Sequence, residues 1–236
     1  MSTAARPKKR PWFERIFPLG IPLAWRQLAV EKKRFAAAVA GITFAVTMML
    51  FQMGLNSALF DQVVAPLLQM RGDVVLISPQ FEYFGISREF PEIRLYQAHA
   101  LAEVESDASL SLGSLPFKNP ETGRERSIFI MAFDPASKPF KNPEIVSQQD
   151  KLKQGNVILF DTLSRSDYGP IEALLAAQPE GVTTEVGGQR MVIEGLFTMG
   201  PTFAADGNIL MDRKVFMQIW PDAQEDEISV GLLTLK

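Results

Sequence analysis

Phe35 to Phe60 read FAAAVAGITFAVTMMLFQMGLNSALF, with no charged residue and with Gln52 and Asn56 as the strongly polar side chains near the end. At 1.5 Å per residue a helix of this length crosses a hydrocarbon core about 30 Å thick. Lipid offers no partner to an unpaired backbone group, so such a run is predicted to be a membrane-spanning helix. Gly41 and Gly54 weaken a helix in water but are common in spans. A buried helix of a soluble protein is the alternative. Such helices usually run only ~10–14 residues and rarely stay free of charge for so long.

The flanks set the predicted orientation. Arg6, Lys8, Lys9, Arg10, Arg15, Arg26, Lys32, Lys33 and Arg34 precede the run, against Glu14 and Glu31. Asp61 follows it, and the next cation is Arg71. Positive charge stays on the cytoplasmic side, which puts the N-terminus inside and the residues after Asp61 outside. The apolar run exceeds the ~7–15 residues of a secretory signal and shows no small-x-small cleavage site, so the reading is an uncleaved anchor.

Working outward, residues 1–20 are basic and proline-containing and are predicted to be a cytoplasmic tail without fixed structure. In residues 21–34, Ile21, Trp25, Leu28 and Ala29 recur at helical spacing with Arg26, Lys32 and Lys33 elsewhere on the wheel. That pattern predicts an amphipathic helix on the inner leaflet, with Trp25, Arg26, Lys32, Lys33 and Arg34 at the membrane interface. A simple extension of the span into the cytosol is the other reading. The span itself is placed at 35–60. Polar groups at membrane depth avoid lipid, so Gln52 and Asn56 are expected to face a partner helix, with Gly54 permitting close approach.

Residues 61–236 are predicted to form an α+β domain of many short strands with a few helices between them. The helix is expected to continue from Asn56 to Met70 and to end at Arg71-Gly72. Asp73 to Ser78 (DVVLIS) is an uninterrupted apolar run, predicted to be a buried strand. Pro91 to Ser106 reads as a helix with Ile93, Tyr96, Ala100, Leu101 and Val104 on one face, and Leu110 to Pro116 as a weak strand. Ser127–Phe133, Asn156–Asp161, Thr183–Val186, Gln189–Phe197, Asn208–Met211 and Ile228–Leu235 read as strands. Pro143–Lys153, Asp167–Gln178 and Arg213–Trp220 carry helices. Gly187-Gly188 is the strongest hairpin turn.

Composition narrows the chemistry. The formal net charge of −3 combines a basic first 34 residues with an acidic remainder, which fits a membrane anchor and an outer domain and not a nucleic-acid binder. There is no cysteine, so disulfides and thiolate chemistry are excluded, and the core must hold the outer domain alone. The roughly 175 residues beyond the span suffice for that. His99 is the sole histidine and cannot make a His-rich metal site. No G-x-S-x-G and no G-x-x-x-x-G-K-[ST] occurs. Asp222, Glu225, Asp226 and Glu227 read as a solvated loop. Gly195, Gly200 and Gly207 read as turns and bulges. Neither a catalytic nor a cofactor site is expected.

The order of features, in PLAWRQLAVEKKRFAAAVAGITFAVTMMLFQMGL (Pro22–Leu55), DVVLISP (Asp73–Pro79) and VIEGLFTMGPTFAADGNILMDRKVF (Val192–Phe216), resembles the first part of a MacB/FtsX-type ABC transporter permease, and within that family the DevC group of cyanobacterial exporters. The resemblance implies a MacB-like periplasmic core domain, an inner-membrane location, and a periplasmic position for residues 61–236. It implies three partners besides membrane lipid: an ABC ATPase subunit that binds the ATP, a periplasmic adaptor protein and a second permease copy. It also implies mechanical transport of a lipid or glycolipid without catalytic residues here. Family members continue into the rest of the outer domain and then three more spans, so the chain is expected to be a fragment of such a permease, with the domain at 61–236 incomplete at its C-terminus. The contrasting expectation is a singly anchored periplasmic sensor or interaction domain.

Overall fold

In the computed structural model, residues 30, 32–82, 88–200, 205–221 and 223–236 are described. The tail at 1–20, most of the 21–34 helix, and Trp25 and Arg26 lie outside them. The chain divides into two units at Ala58/Leu59.

Helix α1 is continuous over Lys32–Leu68. Its Lys32–Ala58 part is long and apolar enough to cross a membrane, and none of it is buried. Among the described residues of this chain, nothing covers it. A helix apolar all round needs burial in protein or in lipid, yet Ile42, Phe44 and Met53 are 66%, 67% and 71% exposed. The helix ends at Leu68 and not at Gly72. Pro66 lies in its last turn, and Gln69 N–H and Met70 N–H close onto the carbonyls of Pro66 and Leu67 at 3.2 and 3.0 Å.

The second unit, Leu59–Lys236, confirms the α+β expectation. Its strands are β1 (Val74–Ile77), β2 (Phe90–Pro91), β3 (Val104–Lys118), β4 (Glu125–Phe133), β5 (Val157–Asp161), β6 (Val182–Val186), β7 (Gln189–Phe197), β8 (Asn208–Asp212), β9 (Glu227–Ile228) and β10 (Val230–Leu235). The helices are α2 (Ile93–His99), α3 (Pro143–Gln148), α4 (Ile171–Ala177) and α5 (Arg213–Ile219), with 3₁₀ turns at Gln149–Gln154 and Ser166–Tyr168. Asn142 caps α3 by accepting from Glu144 N–H, and Asp212 caps α5 by accepting from Lys214 N–H.

Eight strands form one mixed sheet in the order β1-β10-β3-β4-β8-β5-β7-β6. β4–β8 and β5–β7 are parallel, and the other pairs are antiparallel. The far end returns to β3 through Phe117↔Val186 and Lys118↔Glu185, which closes β3, β4, β8, β5, β7 and β6 into a ring. Side chains alternate across these strands. Phe117, Ile130, Ile158, Val186, Ile193 and Ile209 fill the ring from all six strands. Leu112, Met131, Leu159 and Leu210 point to the other face, where Met70, Phe140, Ile145 and Leu152 cover them. The β6–β7 turn has Gly187 and Gly188 at φ 58° and 78°, the pair of positive values a type I′ hairpin requires.

Three local expectations need correction. DVVLIS does form a strand, but at the open edge of the sheet, with β1 largely exposed. Its apolar run carries no signal for edge or centre. The helix expected over Pro91–Ser106 stops at His99, and Val104–Ser106 open β3. Pairing of Val104 to Leu110 with β10 outweighs the helical spacing there. Finally, α2 buries Leu95, whereas Ile93 and Tyr96 are each 55% exposed, so the face read as the core side points outward.

Phe117 is fully buried, 5.8 Å from the ring of Phe160 and 5.6 Å from that of Tyr168. Phe117→Ala is expected to cost about 3–5 kcal/mol. The check is the urea midpoint followed by near-UV circular dichroism, with the exposed Glu180→Ala as a variant that stays within about 0.5 kcal/mol.

Candidate functional site

Of the residues singled out in the sequence, Lys32, Lys33, Arg34, Gln52, Gly54 and Asn56 all lie on α1, exposed. A Cβ built on Gly54 meets nothing within 4 Å. At about 100° per residue, Gln52 and Asn56 share one face and Gly54 falls on the opposite one. A contact through the two carboxamides and one through Gly54 would therefore use different sides of the helix. Gly41 and Ala45 lie on the carboxamide face.

In the second unit, polar groups converge where β5, β7 and β8 meet. Asp161 ends the apolar strand β5 and is fully buried. Its Oδ1 accepts from Leu163 N–H at 3.1 Å and Met199 N–H at 3.0 Å. Its Oδ2 accepts from Gly200 N–H and from Asn208 Nδ2, each at 2.8 Å. Asn208 Nδ2 also donates to the Gly200 carbonyl at 2.8 Å, while its Oδ1 is buried without a protein partner. A buried carboxylate is tolerated when its oxygens are hydrogen-bonded in this way. The pair ties Met199 and Gly200, which follow β7, to Asn208, which opens β8. Sequence reading saw the glycines between β7 and β8 and passed over Asp161, although an acid closing NVILFD was the available signal.

Nearby, Arg126 bridges Asp167 and Asp206, and Arg165 Nε meets Asp206 at 2.8 Å. The Arg126 guanidinium lies 6.0 Å from the Tyr168 ring centre, and Tyr168 donates to the Ser127 carbonyl at 2.6 Å. These contacts tie β4 to the segment that enters β8. Burial raises Tyr168 above its ordinary pKa, opposed by Arg126.

A second cluster ties β2 to β9 and α5. Arg213 is largely buried and donates to both Glu92 oxygens at 3.0 Å, and to the carbonyls of Glu225 and Glu227. Glu225 and Asp226 are exposed and Glu227 is half-buried, the carbonyls of Glu225 and Glu227 accepting from Arg213, while Asp222 lies outside the described residues. Burial pushes Glu89 above the usual carboxylate range, and the neighbouring Glu227 carboxylate pushes the same way against Arg213.

A shallow groove of about 590 Å³ is lined by Leu68, Gln69, Lys141, Asn142, Pro143, Glu144 and Thr198. Asn142 spans it, donating to the Thr198 carbonyl at 2.9 Å. His99 Nδ1 meets Asp107 at 2.7 Å on the surface. No group of three or more metal-ligating side chains occurs among the described residues.

No family model and no curated protein matches the chain. Among solved structures, it is similar to the extracellular domain of YknZ, a noncanonic ABC-type transporter from Gram-positive bacteria. That overlay has 9% identity and a TM-score of 0.43, over 63% of this chain and 74% of that one. The periplasmic region of MacB from Actinobacillus actinomycetemcomitans overlays at 9% identity and a TM-score of 0.40, over 64% and 66%. A domain of a permease protein from Porphyromonas gingivalis overlays at 16% and 0.39, over 61% and 60%.

Two outcomes test the polar clusters. Asp161→Ala strands three backbone N–H groups and Asn208, and is expected to cost at least about 3 kcal/mol. Hydrogen exchange should show Met199 and Gly200 losing protection, with Asp161→Asn intermediate because it keeps one acceptor oxygen. Glu89 binds its proton more tightly folded than unfolded, so its contribution to stability is complete below the ordinary value of 4.5 and is lost as pH rises through the raised one. Glu89→Gln is expected to flatten the fall in thermal stability over that window.

Proposed function

We propose that the chain works as the membrane subunit of an ABC-type export system of the MacB/FtsX kind, of the DevC group within it. The observation that carries the reading is an apolar helix, exposed throughout Lys32–Ala58, in one chain with an α+β unit. The family-like stretches Pro22–Leu55, Asp73–Pro79 and Val192–Phe216 support it.

In this reading α1 lies in the inner membrane with Lys32, Lys33 and Arg34 at the cytoplasmic face, and residues 61–236 are periplasmic. A separate ATPase subunit binds the ATP, so this chain needs no cofactor and performs no catalytic step. Its own contribution is mechanical. The end of α1 leads directly into a clamp. Met70 bridges Phe140, Arg71 N–H donates to the Pro139 carbonyl at 2.6 Å, and Lys141 N–H donates to the Gln69 carbonyl at 2.7 Å. Met70 and Phe140 are both buried in the core, so a displacement of the Gln69–Arg71 segment is passed on to the packed sheet. A periplasmic adaptor would receive that motion, and a lipid or glycolipid would be the cargo.

The test is a pull-down of the tagged full chain from native membranes with mass spectrometry. Co-purification of a P-loop ATPase and a periplasmic adaptor is expected. A fully inserted chain that recovers neither overturns the reading in favour of a singly anchored interaction domain.

A further inference from the structure

The β2–β9 pair is a separate sheet only two residues long, with Phe90 opposite Ile228 and Pro91 opposite Glu227. With it, residues 90–99 are fastened at two further points. Leu95 of α2 is buried with Val104, Ile228 and Leu233. Glu92 donates its N–H to the Asp226 carbonyl at 2.7 Å, and its carboxylate takes Arg213. An attachment this small is the kind of element that opens locally while the main sheet stays folded.

Two carboxyls meet on this attachment. Glu89, just before β2, is hydrogen-bonded through its side chain to Glu227 of β9, and both residues are half-buried. An ionised carboxylate only accepts, so a hydrogen bond between two carboxyls needs a proton on one of them. When both ionise, the bond is lost and two like charges are left in one place. Arg213 from α5 is the cation beside them. Its guanidinium is already committed to both Glu92 oxygens and to the carbonyls of Glu225 and Glu227. Arg88, Glu225 and Asp226 flank the pair from exposed positions.

We propose that Glu89 and Glu227 act as a proton-operated latch: with one proton between them they fasten residues 90–99 to the sheet, and with both ionised they loosen that segment. Burial first, and Glu227 next, make Glu89 hold its proton more tightly folded than unfolded. The latch is therefore closed below the ordinary value of 4.5 and opens as pH rises through the raised one. Leu76 of β1 packs on the same apolar cluster as Leu95, so the loosening reaches the first strand of the large sheet. The latch lies within Leu59–Lys236 and needs neither ATPase nor cargo.

Hydrogen exchange of the full chain in lipid nanodiscs tests it, from about pH 4 to about pH 8, corrected for the intrinsic pH dependence of exchange. Protection over residues 90–98 is expected to fall about tenfold as the pair ionises, while β4 keeps its own. Glu89→Gln and Glu227→Gln each put a permanent donor where the proton sat, so each should hold the segment protected across the whole range. Glu89→Ala removes the bond and should leave the segment poorly protected at every pH. His99 Nδ1 meets Asp107 at the other end of α2, so the titration is repeated with His99→Gln, which should leave the fall in place. Protection that does not change with pH, that falls equally in the wild type and both Gln variants, that falls in step with β4, or whose pH dependence vanishes with His99→Gln would overturn the proposal.

Discussion

Hydrogen-bond satisfaction along β3 is the constraint on which the second unit depends. Buried backbone groups must find partners, and this strand is fifteen residues long. One side is filled by β4 from Leu110 to Lys118. The other is shared. β10 takes Val104 to Leu110, and β6 takes Phe117 and Lys118. The gap between them is closed piece by piece. Ser229 Oγ accepts from Leu112 N–H at 2.9 Å, and Gly187 N–H donates to the Pro116 carbonyl at 2.8 Å. Pro116 has no N–H to leave unpaired. Gly113 lets the Trp220 ring lie against the strand, since a Cβ there would fall 2.4 Å from it. Trp220 in turn stacks on Phe216, whose side chain belongs to the ring core.

Closure through β3 separates two apolar layers and leaves polar residues at the ends of the strands. Asp161 and Asn208 show what this arrangement requires. Asp161 ends a strand whose other residues are buried and apolar, Asn208 begins one that continues with the buried Ile209, Leu210 and Met211, and each sits where backbone groups would otherwise go unpaired. Asp161 takes four donors, and this converts a costly buried charge into a fixed point for the chain between β7 and β8. Arg126 and Arg165 hold the far end of that segment from outside the core, where exposure makes the individual ion pairs weak.

The helix Lys32–Ala58 obeys a different rule. Its apolar residues lie on every side and none is buried within the chain. Lipid around it would leave Gln52 and Asn56 as the groups in need of a partner, and their spacing puts both on one side.

How far the sequence reaches is visible in particular residues. The absence of charge from Phe35 to Phe60 makes a helix long and apolar enough to cross a membrane, because that depends on length and polarity alone. Gly187-Gly188 sets its hairpin, because the two positive φ values are a local demand. The β-rich run Ser127–Phe133 sets β4 as a strand, while the structure buries both of its faces, Ile128, Ile130 and Ala132 on one and Phe129, Met131 and Phe133 on the other. By contrast, DVVLIS reads as interior and is an edge, Ile93 and Tyr96 read as core and are exposed, and Asp161 reads as unremarkable and anchors a turn. These three depend on which strands become neighbours. Pairing between segments far apart in the chain carries no periodicity of its own, so the sequence by itself determined the long apolar helix and the local elements. Only the tertiary structure decided the closing of β3 on β6, the strand left open, and the place where a buried carboxylate finds its four donors.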